Sequence, residues 1–302
     1  MEPIEKRYGS RAISPTEWTL PGLKFRWILD HAPRNGSVLE IGSGDGKLLR
    51  SIKRLNRGLQ LFGTDVVEPT TVPEGYEFTL SLGDFLPFEA ERFDVVLVFD
   101  VLEHVADPAA FLREVRRVVK PCGSLLAFVP IEGEFLSFYT LFRSIFGNDT
   151  YVITKDHHQA FTHASLDILL RVSFSIEKKG YAYHFLGQLM DASFCVALKF
   201  RKLQDMFYNE NELYRESNEK KSIPSRIFNA ALAAANLCAC VESTILKNRS
   251  FTSAGALIVA RPELFPALSA SGSFTDRSAH RHRARRSDTQ ISHNDDRSSV
   301  RE

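Results

Sequence analysis

The sequence predicts an α/β protein with a doubly wound, mostly parallel sheet of seven strands and a helical insertion before the last strand. Between residues 37 and 129, short apolar runs alternate with segments of helical periodicity, which is typical of a parallel sheet with crossover helices. The run Phe93–Asp100 is almost continuously apolar. Such a run indicates a strand at the centre of the sheet, buried on both faces.

The elements have separate local signals. Asp107 is suited to cap a helix with Pro108 at its first position, and Pro121 is expected to end it. A longer helix over residues 223–246 is apolar on nearly all sides, with only two charges. The predicted strands cover residues 37–42, 60–65, 76–81, 93–100, 124–130, 174–183 and 254–262.

The chain of 302 residues is predicted to form one large domain with additions. A helical lid covers residues 1–35, a core covers 36–184, a helical insertion covers 185–253, and residues 254–265 complete the core. Residues 266–302 contain almost no large apolar side chain, so we expect this tail to be disordered.

Charge and cysteine content exclude some classes of partner. Lys and Arg number 38 against 37 Asp and Glu, a net charge of +1, so no nucleic-acid partner is expected. The four cysteines have neither zinc-site spacing nor the density of a secreted disulfide scaffold. We find no signal peptide and no uncharged apolar run near the ~20 residues that span a bilayer. A cytoplasmic location is expected.

The stretch "VLEIGSGDGKLL" places Gly42, Gly44 and Gly46 between a strand and a helix. Such a turn directs backbone N–H groups and a helix dipole towards a ligand. The spacing differs from the G-x-G-x-x-G of dinucleotide sites, and Lys47 follows the last glycine. Glu40 would repel a pyrophosphate, so the turn is better suited to a ligand that carries positive charge.

This stretch resembles the E/D-x-G-x-G-x-G motif of class I S-adenosylmethionine-dependent methyltransferases. Residues 93–130 are similar to a block shared by small-molecule methyltransferases such as the ubiquinone-biosynthesis O-methyltransferases, and the resemblance extends over about residues 18–183. It implies a Rossmann-like fold with an antiparallel last strand, and S-adenosylmethionine as cofactor.

The resemblance also implies which residues contact the cofactor. Asp65 would bind the ribose hydroxyls, Asp84 the adenine amino group, and Phe85 would lie beside the ring. Each acid alone could be an ordinary turn residue, and their joint placement favours ligand contacts. The full predicted set is Glu40, Gly42, Gly44, Gly46, Asp65, Asp84, Phe85 and Asp100.

Methyl transfer is an in-line displacement in which the protein positions the acceptor and excludes water. A hydroxyl acceptor also needs a base, and the candidates are Glu103, His104 and His158. His158 belongs to the segment "KDHHQAFTH", and its group of Asp156, His157, His158 and His163 is expected on the acceptor side of the pocket. The alternative is that these histidines cap a turn or hold a loop. Asp100, Glu103 and His104 could hold a divalent cation, but such sets are common by chance, so no metal is expected.

Two absences favour oxygen as the acceptor atom. No N/D-P-P-Y/F follows the fourth strand, which disfavours methylation of adenine or glutamine nitrogen, and Cys122 lies at a predicted turn and is interpreted as structural. An N- or C-methyltransferase and a catalytically silent cofactor-binding module remain alternatives.

The apolar helix over residues 223–246 and an aromatic segment over residues 133–147 could line a wide apolar pocket. The acceptor is therefore interpreted as a small or lipid-linked molecule. Burial of this helix in the core or against a second subunit is the favoured interpretation, and contact with a membrane surface is the alternative.

Overall fold

A seven-stranded sheet forms the centre of the structure, a computed structural model. It describes residues 12–69, 74–81, 85–135, 137–146, 157–197 and 223–263. The predicted disordered tail, Asp84 and the first part of the predicted lid lie outside these residues.

The strands follow the predicted positions closely. They are β1 (Gly36–Ile41), β2 (Leu59–Asp65), β3 (Glu77–Leu80), β4 (Phe93–Phe99), β5 (Val119–Pro130), β6 (Phe174–Ala182) and β7 (Gly255–Pro262). Their order in the sheet is β3-β2-β1-β4-β5-β7-β6. Strands β1 to β5 run parallel, and β7 runs antiparallel to both of its neighbours. The predicted fold class is confirmed. Strand order reverses between β1 and β4, where ligands of such sheets bind at the carboxyl ends of the strands.

Helices cover both faces of the sheet. They are α1 (Leu20–His31), α2 (Lys47–Leu55), α3 (Pro108–Val118), α4 (Phe138–Phe146), α5 (His163–Leu170), α6 (Phe185–Ala197) and α7 (Ile223–Ile245). Side chains of α1 and α2 pack in one buried cluster with Val38 of β1, while those of α3 and α5 pack in another with Leu39. This alternation is the two-residue period of a strand buried on both faces.

The start of α3 agrees with its signal, but its end does not. The Asp107 carboxylate accepts a hydrogen bond from the Ala110 N–H at 2.9 Å, with Pro108 at the first helical position. The turn expected at Pro121 is absent, because α3 ends at Val118 and β5 begins at the next residue. The register between β4 and β5 is irregular near this start, where a proline without an N–H is tolerated.

The structure does not bury α7 within this chain, and its burial against a second subunit stays a prediction. Among its described side chains, a narrow stripe of Asn236, Ala239, Cys240 and Ser243 is buried, and Ile245 is 74% exposed. Within the described residues, α7 is also the one helix whose length and composition would suit a membrane span, over Arg226–Ile245, of which 22% is buried. The composition of this helix could not reveal that its small residues face inward and that much of its apolar surface faces outward.

Glu114 ties α3 to the segment before β4. Its carboxylate accepts hydrogen bonds from the Arg117 guanidinium at 2.8 Å and from the Leu86 N–H at 3.2 Å. The hydrogen bonds from Arg117, ahead of the backbone contact, hold the pKa of Glu114 below its ordinary value of 4.5.

Glu114→Gln is expected to lower the free energy of unfolding by about 1–2 kcal/mol near neutral pH, as loss of a partly exposed charge-assisted hydrogen bond. A carboxyl with a depressed pKa stabilises the fold above its unfolded pKa, and this contribution is lost as pH falls through the folded pKa. Urea denaturation of both proteins should therefore show the difference shrinking below pH 4.5. In the control Glu177→Gln, which removes a half-exposed pair with Arg261, the change should stay below about 0.5 kcal/mol. A Glu114→Gln difference that persists undiminished at about pH 3 would contradict this account.

Candidate active site

The glycine turn after β1 is fixed by sterics. Gly42, Gly44 and Gly46 have φ angles of +75°, +50° and +70°, in the left-handed region that favours glycine. A Cβ at Gly42 would lie 2.5 Å from Cγ2 of Val101, and a Cβ at Gly46 would lie 2.2 Å from the Tyr76 ring. The turn therefore has no room for larger residues at these two positions.

The backbone N–H groups of this turn are used within the protein. Those of Gly42 and Ser43 donate to the Thr64 carbonyl at 2.8 and 3.1 Å, and that of Gly46 donates to the Ser43 carbonyl at 2.8 Å. The Gly44 N–H donates to Asp65 Oδ2 at 2.8 Å. The sequence led us to expect free amide donors facing a ligand, and this expectation is wrong for these four groups. The adjacent end of β2 supplies the acceptors for three of these groups, and the Ser43 carbonyl accepts from the fourth.

Two side-chain atoms near the turn have open hydrogen-bonding capacity. Glu40 is buried, and neither its Oε2 nor the Ser43 hydroxyl has a hydrogen-bond partner among the described residues. Burial, reinforced by the charge of Asp65, raises the pKa of Glu40 well above its ordinary value. Buried polar atoms usually have partners, so these two fit a ligand that brings hydrogen-bond donors or positive charge.

Asp65 stands at the end of β2 beside the turn. Its carboxylate accepts from the Gly44 N–H and, at 3.3 Å, from the Val67 N–H. A carboxylate has about four acceptor positions, so Asp65 keeps capacity for the predicted ribose hydroxyls.

Phe85 was predicted to lie beside the adenine ring. It is 63% exposed, and its ring lies 4.9 Å from the guanidinium of Arg117 in α3. Its role, like that of Asp84, stays a prediction.

Lys24 is a residue that the sequence reasoning missed. It extends from α1 to the carboxyl ends of β4 and β5, where its ammonium donates to the Asp100 carboxylate and lies 3.8 Å from the centre of the Phe128 ring. Its side chain is only 13% exposed. The available signal was a single lysine on a helix whose neighbouring residue, Phe25, belongs to the core.

A partly buried cluster of acids and histidines follows β4. Glu103 lies in the 3-10 turn Leu102–His104 and is 1% exposed, and neither of its carboxylate oxygens has a hydrogen-bond partner among the described residues. The Nε2 atoms of His104 and His157 each lie 4.0 Å from Glu103 Oε1. Burial, followed by the charge of Asp100, raises the pKa of Glu103 well above its ordinary value.

The structure brings His157, rather than the predicted His158, to this cluster. His157 Nδ1 lies 2.8 Å from Oε2 of Glu132, a buried acid just after β5 that the sequence reasoning also missed. The His158 side chain is exposed, while its backbone N–H donates to the Glu103 carbonyl at 2.9 Å. The loop is thereby held so that His157 points inward.

His163, from the same loop sequence, has a structural partner. Its Nε2 lies 2.8 Å from the Ser253 hydroxyl, which joins the start of α5 to the segment before β7. Burial lowers the pKa of His163. His163 therefore has the alternative role considered for the histidines of this segment, which is to hold a loop.

A cavity of about 320 Å³ lies at the opposite, amino-terminal ends of β1 and β4. It contains Ser37, Asp94 and Lys120 but none of the predicted site residues, and Lys120 Nζ donates to Asp94 Oδ2 at 2.8 Å. The charges of Asp94 and Lys120 are paired with each other. We therefore locate the candidate active site by its side-chain chemistry, at the carboxyl ends of β1, β2, β4 and β5.

The strand order, the antiparallel β7 and the glycine turn after β1 define the class I methyltransferase fold. Residues 39–127 match the family model described as a methyltransferase domain. Over 99 residues the chain is 34% identical to the ubiquinone biosynthesis O-methyltransferase of Cereibacter sphaeroides, a match that covers 30% of this chain and 39% of that protein. Residues 39–127 are therefore similar to a class I methyltransferase domain, a class whose cofactor is S-adenosylmethionine.

Two solved structures share the fold at low sequence identity. The [4+2]-cyclase SpnF superposes with a TM-score of 0.53 at 16% identity, covering 85% of this chain and 87% of that chain. A phosphoethanolamine N-methyltransferase of Haemonchus contortus superposes with a TM-score of 0.50 at 16% identity, covering 80% and 52%. The matched regions span 39% to 48% of the length of the curated relatives.

Proposed function

We propose that this protein transfers a methyl group from S-adenosylmethionine to a hydroxyl oxygen of a small or lipid-linked acceptor. The observation that supports this most is the partly buried cluster of Glu103, His104 and His157 beside the glycine turn. Val101, two residues before Glu103, is the residue that a Cβ at Gly42 would strike. The cofactor turn and the acid-histidine cluster are therefore neighbours at the switch point of the sheet.

The residues of the turn fit the cofactor. Glu40 and Ser43 have open acceptor atoms, and Asp65 keeps acceptor capacity for ribose hydroxyls. The pair of Lys24 and Asp100 offers one charge of each sign, which matches the carboxylate and ammonium of an amino-acid group. We propose that these residues hold the cofactor.

When bound, S-adenosylmethionine supplies an electrophilic methyl group on a sulfonium, open to in-line displacement. The protein orients the acceptor and excludes water. Glu103, His104 and His157 are suited to assist loss of the acceptor's hydroxyl proton, because carboxylates and imidazoles can either accept a proton or hold a cation that lowers the pKa of the hydroxyl. A nitrogen acceptor that reacts as a free amine would need this assistance less, which is why oxygen is favoured.

A catalytically silent cofactor-binding module is the second candidate. A [4+2]-cyclase shares this fold, and a fold by itself does not specify a reaction. The fold is therefore compatible with a protein that does not transfer methyl groups. Product formation distinguishes the two candidates directly.

The apolar surface of α6 and α7 supports a lipid-linked acceptor. Phe185 and Leu189 of α6 are exposed, as are Ile227, Val241 and Ile245 of α7. Such a surface could meet an apolar acceptor, a membrane face or a second copy of the chain. A cytoplasmic enzyme that takes its acceptor from a membrane face is consistent with this surface, and location stays part of the proposal.

Asp65→Ala is expected to lower product formation at least tenfold, since it removes the hydrogen bonds that the ribose hydroxyls of the cofactor would donate to the charged carboxylate. The experiment incubates the protein with isotope-labelled S-adenosylmethionine and metabolite and lipid extracts, and identifies by mass spectrometry which molecule gains a methyl group. The matched control Asp30→Ala changes an exposed acid on α1 and should stay within about twofold of wild type. No labelled product from wild type, with the cofactor shown to bind, would favour the silent module.

A further inference from the structure

Glu103 is a buried acid that no hydrogen bond satisfies within the described part of the chain. The carboxylate is 1% exposed, and neither oxygen has a hydrogen-bond partner among the described residues. An ionised carboxylate in such a place is strongly disfavoured unless a proton or a cation accompanies it.

Two imidazole nitrogens point to a cation as that partner. The Nε2 atoms of His104 and His157 both lie 4.0 Å from Glu103 Oε1, and one ligand atom from each of the three residues lies within 4.8 Å of the others. These separations are too long for hydrogen bonds. They are close to those between ligands of one ion, because bonds of about 2.0–2.2 Å place neighbouring ligand atoms about 3–4 Å apart.

Glu132 orients His157 for such a role. Its Oε2 lies 2.8 Å from His157 Nδ1, and the other ring nitrogen, Nε2, is the one near Glu103. Histidines that bind metals usually donate their second ring N–H to a carboxylate in this way. The backbone N–H groups of His158 and Gln159 donate to the Glu103 carbonyl at 2.9 and 3.0 Å, which ties the loop of His157 to the turn of Glu103.

We propose that Glu103, His104 and His157 bind one divalent transition-metal ion, with Glu132 as a positioning residue. Two imidazoles and one carboxylate suit Zn²⁺, Co²⁺ or Mn²⁺ better than Mg²⁺, which prefers oxygen ligands. The sequence predicted no metal because only neighbouring residues could be considered together. The structure adds His157 and Glu132, which lie far along the chain from Glu103 and His104. The ion site itself stands on this geometry, and its role in catalysis rests on the proposed function.

In that role, the ion orients the acceptor hydroxyl and lowers its pKa. The hydroxyl proton passes to water, the oxygen forms a bond to the methyl carbon, and the sulfur keeps the electron pair of the broken carbon–sulfur bond. Among hydroxyl acceptors, this favours those with two adjacent oxygens that can both reach one ion.

Metal titration of the full chain tests this inference without cofactor or acceptor. The purified protein, freed of any affinity tag and stripped with a chelator, is titrated with Co²⁺ by visible absorption and with Zn²⁺ by calorimetry. We expect one strong site per chain, weakened at least tenfold in Glu103→Gln and in His157→Ala. The control His163→Gln removes a histidine bonded to Ser253 and should retain the site. The tail histidines are present in every variant, so any weak binding there is common to all.

A stability measurement separates ligand loss from misfolding. Zn²⁺ should raise the melting temperature of wild type but not of Glu103→Gln, and the metal-free variant should be at least as stable as metal-free wild type, because a buried amide costs less than a buried carboxylate. Equal Zn²⁺ binding by wild type and Glu103→Gln would overturn the inference, as would no strong site in wild type. A strong metal site with no methyl transfer would leave the inference standing and end the proposed function. If the wild-type protein bound no ion and still transferred methyl groups at an unchanged rate in the presence of a chelator, the metal inference would fail and the proposed function would stand.

Discussion

Gly46→Ala is expected to lower the affinity for S-adenosylhomocysteine about 100-fold. The new Cβ would lie 2.2 Å from the Tyr76 ring, and the backbone there has a φ of +70°. Left-handed strain costs about 1–2 kcal/mol and overpacking about 1–3 kcal/mol, and 2.7 kcal/mol corresponds to 100-fold. The turn must shift to relieve the overlap, so the conformation that binds the cofactor becomes rare.

Isothermal calorimetry measures this effect, and Gly75→Ala provides the matched control. Gly75 also has a positive φ, but its new Cβ would lie 3.1 Å from Cγ of Lys53, a flexible side chain. It should lose stability and keep cofactor affinity within about twofold. If both variants bound the cofactor as wild type does, the glycine turn could not be the cofactor site.

Lys24→Glu is expected to lower cofactor affinity by about 100-fold, and Lys24→Met by about tenfold. The Lys24 ammonium contacts both the Asp100 carboxylate and the Phe128 ring. Reversing this charge places a carboxylate beside Asp100, and like charges in a partly buried site repel by several kcal/mol.

Titration with S-adenosylhomocysteine again gives the readout, with Lys178→Glu as the control. Lys178 is exposed on β6, so its reversal should change affinity less than twofold. Lys24→Arg should recover most of the affinity, because it restores the charge. Unchanged binding by Lys24→Met would remove Lys24 from the proposed cofactor site.

Local signals were sufficient for much of the fold. The cap at Asp107 and Pro108 placed the start of α3, and the apolar run of β4 identified the sheet centre. Both signals depend on neighbours in sequence. The inward face of α7 could not be found this way, because an almost uniformly apolar helix gives no periodicity that distinguishes its buried side.

The site was predictable where residues lie in one motif and not where they meet across the chain. Gly42, Gly44 and Gly46 form a turn readable from their spacing. Lys24 meets Asp100 from 76 positions away, and the contact between His157 and Glu132 spans 25 positions. Neighbouring histidines differ only in how the loop is held, so sequence alone could not favour His157 over His158.

The central claim is that the turn from Glu40 to Gly46, together with Asp65, binds a cationic sulfonium nucleoside. Parallel calorimetric titrations of the wild-type protein with S-adenosylmethionine, S-adenosylhomocysteine and NAD test it most directly. We predict one site per chain for both adenosyl compounds, at least tenfold weaker binding in Asp65→Ala, and no measurable heat with NAD. Saturable NAD binding with no response to either adenosyl compound would contradict the claim.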